Sequence, residues 1–265
     1  MIATHVTSSD GTPIAVWRSG SGPSLILVHG TTADHTRWER VRPGFEAHFT
    51  IHAVDRRGRG GSGDANTYSI AQEGLDIAAV AAEAQGPVSL LGHSYGAICS
   101  LEAALLLNLN ALVLYEPPLP IGVRIAQSET LARLDELIAG DQREEALLAF
   151  FREVVRVPEP LLDLMRAQPA WRARVAAAHT VAREARLEST YQPDLDRFRA
   201  IQAPTLLLLG GDSPDSFREA TTRLNAIIPN SRIHEMPGQH HVAMDTIPDA
   251  FVRIVTEFLR DSTSK

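Results

Sequence analysis

The residues in this chain best suited to chemistry are a serine, a histidine and a choice of two carboxylates. The serine is Ser94, within Gly92-His93-Ser94-Tyr95-Gly96. This stretch fits G-x-S-x-G, where small residues two positions either side let a sharp strand-to-helix turn close. Such a turn projects the hydroxyl from the edge of a sheet, beside a helix N-terminus that favours negative charge. The flanks suit this reading. Residues 87–91 are apolar with strand character, and residues 97–105 are good helix formers. Those flanks separate a nucleophile elbow from an ordinary Gly-rich turn.

A serine hydroxyl is a poor nucleophile without a base. Ten histidines are present, and His241 is the best placed. It ends the run Met236-Pro237-Gly238-Gln239-His240-His241, between a short strand and a helix that starts near Pro248. His240 is the rival, but the third place after the glycine favours His241. The base in turn needs a carboxylate to orient its ring and stabilise its charged form. Glu116, in Leu114-Tyr115-Glu116-Pro117-Pro118, and Asp212, in Leu209-Gly210-Gly211-Asp212-Ser213-Pro214, compete for that role. Each follows a strand, and either strand end could face the histidine loop. Their plainer roles are a turn cap for Glu116 and a backbone-bonded turn residue for Asp212. An oxyanion would need donors. The backbone N–H groups of Tyr95 and Thr31 are the candidates, with that of Gly30 a further one. His29 reads as a structural loop residue.

These groups need a sheet edge to hold them. Apolar runs predict strands over 24–28, 50–54, 88–91, 111–115 and 205–209, after an N-terminal hairpin turning at Asp10-Gly11, and residues 232–235 read as a last short strand. Helices are predicted over 37–45, from a capping box at Ser69 to about 84, after the elbow, and over 216–228 and 248–260. Alternating strands and helices predict an α/β fold: a mostly parallel twisted sheet with helices on both faces. From 119 to 200 no strand is predicted. That segment reads as a helical lid inserted into a core made of residues 1–118 and 201–265. The arginines of the insertion, among them Arg172, Arg174, Arg183 and Arg186, read as a solvated helical face.

Composition narrows the partners. Net charge is −7 over 265 residues, which argues against a nucleic-acid partner. The single cysteine, Cys99, cannot form an internal disulfide and reads as a small buried hydrophobe. No apolar run is long enough to span a membrane and none near residue 1 reads as a signal peptide, so a cytoplasmic location is expected. Gly58, Gly60 and Gly63 match G-x-G-x-x-G, but residues 64–68 intervene before any helix, so a dinucleotide is not expected. No Cys/His cluster suggests a metal.

Taken in order, His29-Gly30, Asp55-Arg56-Arg57-Gly58-Arg59-Gly60-Gly61-Ser62, Gly92–Gly96 and Pro237–His241 resemble the α/β-hydrolase family. The resemblance covers nearly the whole chain. In most such proteins the acid follows the later strand in a Gly-x-x-Asp pattern. Here that slot holds Ser213, with Asp212 one residue early and Asp215 two late, which favours Glu116. A narrower similarity, to zearalenone-type lactonases, lies in the Glu116 region, in Gly210–Phe217 and in Pro169-Ala170-Trp171. There the acid is a glutamate after the same strand and a lid tryptophan touches substrate. The similarity thus implies Glu116 as the acid and Trp171 as a substrate contact. The elbow of those enzymes differs from Gly-His-Ser-Tyr-Gly.

The resulting expectation is a serine hydrolase acting on a small-molecule carboxylic ester or lactone through an acyl-enzyme on Ser94, with no cofactor. The same triad would also serve a carbon–carbon bond hydrolase or a cofactor-free perhydrolase. A non-enzymatic small-ligand receptor is the rival on the same fold.

Overall fold

The computed structural model describes residues 1–120 and 126–263. The chain begins with an antiparallel hairpin of β1 (Ile2–Thr7) and β2 (Pro13–Gly20), with Ile2 opposite Arg18 and Thr7 opposite Pro13. β3 (Ser24–Val28), β4 (Thr50–Val54), β5 (Val88–His93), β6 (Ala111–Tyr115), β7 (Thr205–Gly210) and β8 (Ser231–Met236) then run parallel to one another. The eight-stranded sheet has the order β1-β2-β4-β3-β5-β6-β7-β8. Every residue of β3, β5, β6 and β7 is buried, as continuous apolar runs in a sheet covered on both faces should be.

Alternation along each strand divides the core in two. Ile26, Leu90, Leu112 and Leu207 point to one face, while Leu25, Leu91, Val113 and Leu206 point to the other. On the second face lie α1 (Arg42–Glu46), through Phe45, and the closing helix, through Phe251. On the first lie α2 (Ile70–Glu83) and α3 (Tyr95–Ala104), through Ile77, Val80, Ile98 and Leu101. The Ser69 hydroxyl caps α2 by accepting from the Gln72 N–H at 3.1 Å.

Between β6 and β7 the described residues form no strand. They form α4 (Ser128–Ala139), α5 (Arg143–Ala149), a π-helical turn over Phe150–Val155, α6 (Glu159–Arg166), α7 (Trp171–Ala176) and α8 (Val181–Thr190). This insertion has its own apolar cluster, around Leu134, Leu147, Phe151, Trp171 and Val181. Its last turn, Leu195–Ala200, departs from that cluster, because Phe198 packs into the main core. Beyond β7 the chain adds α9 (Asp215–Ile227), α10 (Ala243–Thr246) and α11 (Pro248–Thr263). Among the described residues, no helix is long and apolar enough to cross a membrane.

Candidate active site

Three neighbouring parallel strands, β3, β5 and β6, are followed at the same sheet edge by a non-glycine residue with positive φ. Ser94 (φ 56) stands directly after β5 and Glu116 (φ 48) directly after β6, while Thr32 (φ 62) lies four residues beyond β3. Such a backbone costs about 1–3 kcal/mol at each residue, and strain of this kind gathers at functional sites. The elbow tolerates it because its flanks are bare. A Cβ on Gly92 would meet the Gly96 carbonyl oxygen at 2.6 Å, and one on Gly96 would meet the Val28 oxygen at 2.3 Å. The Ser94 N–H donates to the Tyr115 carbonyl at 2.9 Å, which ties the elbow to the end of β6.

Glu116 is fully buried. Its Oε2 lies 2.6 Å from His241 Nδ1, and its Oε1 accepts from the Gly210 N–H at 2.7 Å. Both carboxylate oxygens are therefore engaged. Facing a carboxylate, Nδ1 carries the proton, which leaves Nε2 as the basic nitrogen. Asp212 is exposed, and its N–H donates to the Gln239 carbonyl at 2.9 Å. The carboxylate beside the imidazole is thus that of Glu116.

The His241 loop is held from two strand ends. His93 Nε2 donates to the His241 carbonyl at 2.8 Å, and the Tyr115 hydroxyl donates to that of His240. Burial, with the nearby His241 second, pushes His93 well below the ordinary histidine range, so it stays a neutral donor. The His241 ring lies between two others. Phe217 stacks on it at 4.6 Å and 15°, and His93 tilts against it at 4.6 Å. His240 is exposed. Among the described residues no hydrogen bond joins Ser94 Oγ to His241. In resting enzymes such contacts are often long and tighten when substrate binds.

Gly30 sits against Ser94. A Cβ there would lie 2.8 Å from Ser94 Cβ and 3.4 Å from its Oγ. Among the described residues the N–H of Thr31, one place further, meets no backbone acceptor. Tyr95 opens α3, so its N–H has no helical partner. Tyr95 follows Ser94 in the chain, and Thr31 follows Gly30, which touches Ser94. His29 fixes the loop: its Nε2 accepts from the Arg56 N–H at 3.1 Å while its Nδ1 donates to the Gly30 carbonyl at 2.8 Å. Burial and then the charges of Arg56 and Arg59 pull its pKa down to about 3, which keeps it neutral.

A buried ionic network joins the insertion to this edge. Arg56 donates to Glu73 and to Glu184 of α8, each at 2.5 Å, and Arg59 reaches Glu184 at 2.6 Å. The Arg56 guanidinium lies 4.5 Å over the Tyr95 ring. Burial opposes the charge of Glu184, but Arg56 and Arg59 outweigh it and lower its pKa to about 2. The Gly58–Gly63 loop is therefore a scaffold held by buried arginines. Gly58 accepts no helix and instead bonds back to the Gly63 carbonyl at 2.8 Å.

Two placements differ from expectation. Trp171 is not brought to the triad. It lies in the insertion's own core, with Nε1 donating to Glu144 at 3.0 Å and its ring against Phe151. It is Ala170, just before α7, and Ala173 and Arg174 on it that share a recess with Thr32. The arginines are not all solvated either. Arg174 donates to Thr32 Oγ1 at 2.7 Å, and Arg183 binds Asp64 at 2.9 Å and covers the Tyr68 ring. Arg172 is exposed, and Arg186 pairs with Asp135 at the surface. The contacts of Phe217 and His93 with His241, and of Arg174 with Thr32, carry no motif signal, since these partners are distant in sequence.

Comparison with known proteins agrees with this geometry. Residues 25–254 match the sequence model of the alpha/beta hydrolase family. The chain is 26% identical to a 2-(acetamidomethylene)succinate hydrolase of Mesorhizobium japonicum, over 92% of this chain and 90% of that protein. It is also 26% identical to a pimeloyl-[acyl-carrier protein] methyl ester esterase of Aeromonas hydrophila, over 93% and 99%. Among solved structures, an alpha/beta hydrolase from Sphaerobacter thermophilus superposes with a TM-score of 0.85 at 36% identity, covering 96% of this chain and 99% of that one. The elbow, the histidine loop and the sheet order thus stand within a family-wide match, and the chain belongs to the alpha/beta hydrolase family.

Proposed function

We propose that the protein is a serine hydrolase that cleaves carboxylic esters through an acyl-enzyme on Ser94. The observation that carries this reading is the His241–Glu116 pair, 2.6 Å apart and held beside the elbow. Ser94 Oγ attacks the carbonyl carbon of the ester. His241 Nε2 takes the hydroxyl proton, while Glu116 holds the ring and stabilises its charge. The oxyanion is met by the N–H groups of Tyr95 and Thr31, with Gly30 allowing the close approach. One such donor is worth about 2.7–4 kcal/mol in the transition state. Collapse of the intermediate expels the alcohol, which takes the proton from His241. Water then attacks the acyl-Ser94 carbonyl with His241 again as base, and the acid leaves. Each step uses only these groups and water, so the reaction calls for no cofactor.

Esters fit the chemistry of serine better than epoxides or haloalkanes, since an alkyl ether on Ser94 would have no easy hydrolytic exit. The Aeromonas relative, by its name, acts on a methyl ester. A lactone is a cyclic ester and needs the same steps. The helical insertion covers the sheet edge as a lid in this reading. A panel of p-nitrophenyl esters from acetate to octanoate tests it. Turnover well above that of Ser94→Ala is expected. Tight binding of small ligands with no turnover would support a receptor instead.

A further inference from the structure

We infer that Arg174, with Arg37 beside it, forms a subsite for a carboxylate carried on the substrate, an inference that rests on the ester-hydrolase reading above. A recess of about 70 Å³ lies between Ala170, just before α7, Ala173 and Arg174 on it, and Thr32, Asp34, Thr36 and Arg37 of the segment after β3. Arg174 enters it from the insertion, with one nitrogen donating to the Thr32 carbonyl at 3.2 Å and to its hydroxyl at 2.7 Å. Both acceptors are neutral, and among the described residues Arg174 pairs with no carboxylate. The nearby acids have other partners. Asp245 binds Arg37 at 2.7 Å, and Asp34 accepts from the Thr36 N–H at 2.9 Å and from its hydroxyl at 2.5 Å.

Arg174 is therefore a half-buried cation next to another cation. Burial, and then the charge of Arg37, pull its pKa down to about 10 against the weaker pull of Asp245 and Asp34. An unpaired cation in such a place is unfavourable, and an incoming carboxylate relieves it. A guanidinium has further N–H donors in a planar fork that matches a carboxylate. The recess is also close to the chemistry. Thr32 follows Gly30 by two residues, and Gly30 touches Ser94. Successive Cα atoms are about 3.8 Å apart, so Thr32 lies at most about 7.6 Å further along the chain. That distance suits a short substrate with an acid group a few carbons from the scissile ester.

The test compares monoethyl glutarate with ethyl pentanoate, which has the same acyl length and no acid. Binding to Ser94→Ala is measured by calorimetry, so that no turnover is needed. The acid ester is expected to bind at least tenfold more tightly than the neutral one. Adding Arg174→Gln should erase that preference, and Arg174→Lys, which keeps the charge, should retain part of it. Equal affinities, binding of neither ester, or a preference that survives Arg174→Gln would overturn the subsite. Failure of the hydrolase reading looks different. There the Arg174-dependent preference would stand, while the protein with Ser94 intact turned over neither ester.

Discussion

Glu116 and His241 are 125 residues apart in sequence and 2.6 Å apart in space. The second carboxylate oxygen is held by the Gly210 N–H, so the acid cannot rotate away from the ring. Glu116→Gln removes the charge that stabilises the imidazolium and disturbs the proton on Nδ1. Turnover should fall by about 10²–10⁴. Asp212→Asn, at an exposed turn, should change it less than about twofold. Steady-state kinetics of the two variants on one ester check the assignment. A crippled Asp212 variant beside an active Glu116 variant would reverse it.

Phe217 and His93 hold the imidazole between them. An aromatic pair of this kind is worth about 0.5–1.5 kcal/mol beyond its burial. Phe217→Ala should therefore lower turnover several-fold through a less well held base, with KM little changed. Phe217→Tyr should restore most of the loss. Unchanged turnover in Phe217→Ala would make the ring mere packing.

Trp171 belongs to the core of the insertion, so Trp171→Ala should act on stability. Truncating a buried tryptophan costs about 3–5 kcal/mol. Thermal unfolding should shift down clearly, while the ratio of activities across an ester panel should hold. A changed ratio with an unchanged midpoint would return Trp171 to the substrate.

Two glutamates of α8 give stability opposite slopes with pH. The pKa of Glu184 falls from an ordinary 4.5 to about 2 on folding. Its contribution is present above the unfolded pKa and is lost as pH drops from there toward 2. Burial, with the charge of Glu184 second, raises Glu188 to about 8. Folding then keeps a proton that the unfolded chain releases above about 4.5, so Glu188 weakens the fold progressively as pH rises to 8. Glu188→Gln should leave stability at pH 5 little changed and raise it at pH 8, by an amount on the order of a few kcal/mol. Urea unfolding at the two pH values checks this. An equal effect at both would contradict it.

The elbow was legible because it is local. Gly92, Ser94 and Gly96 report a strained turn, and the strand before and helix after lie within ten residues. β3, β5, β6 and β7 were legible for the same reason, as apolar runs with Gly or Pro close to an end. The choice of acid was not local. Glu116 and Asp212 follow neighbouring strands, and which one reaches His241 depends on how β6 and β7 end relative to the loop after β8. Trp171 and Arg174 show how one turn of helix misleads. They are three residues apart on α7 and both reach the Phe151 ring, yet Trp171 packs into the insertion's core while the Arg174 guanidinium extends to Thr32. Spacing names the two faces of a helix but does not say which neighbour each one meets.

In the proposed reaction Ser94 is a nucleophile activated by His241 and Glu116. Labelling with a fluorophosphonate, followed by peptide mapping, tests it most directly. One phosphonylated residue is expected, Ser94, with labelling abolished in Ser94→Ala and greatly slowed in His241→Ala. Labelling at another residue, or none in the folded protein, would contradict it.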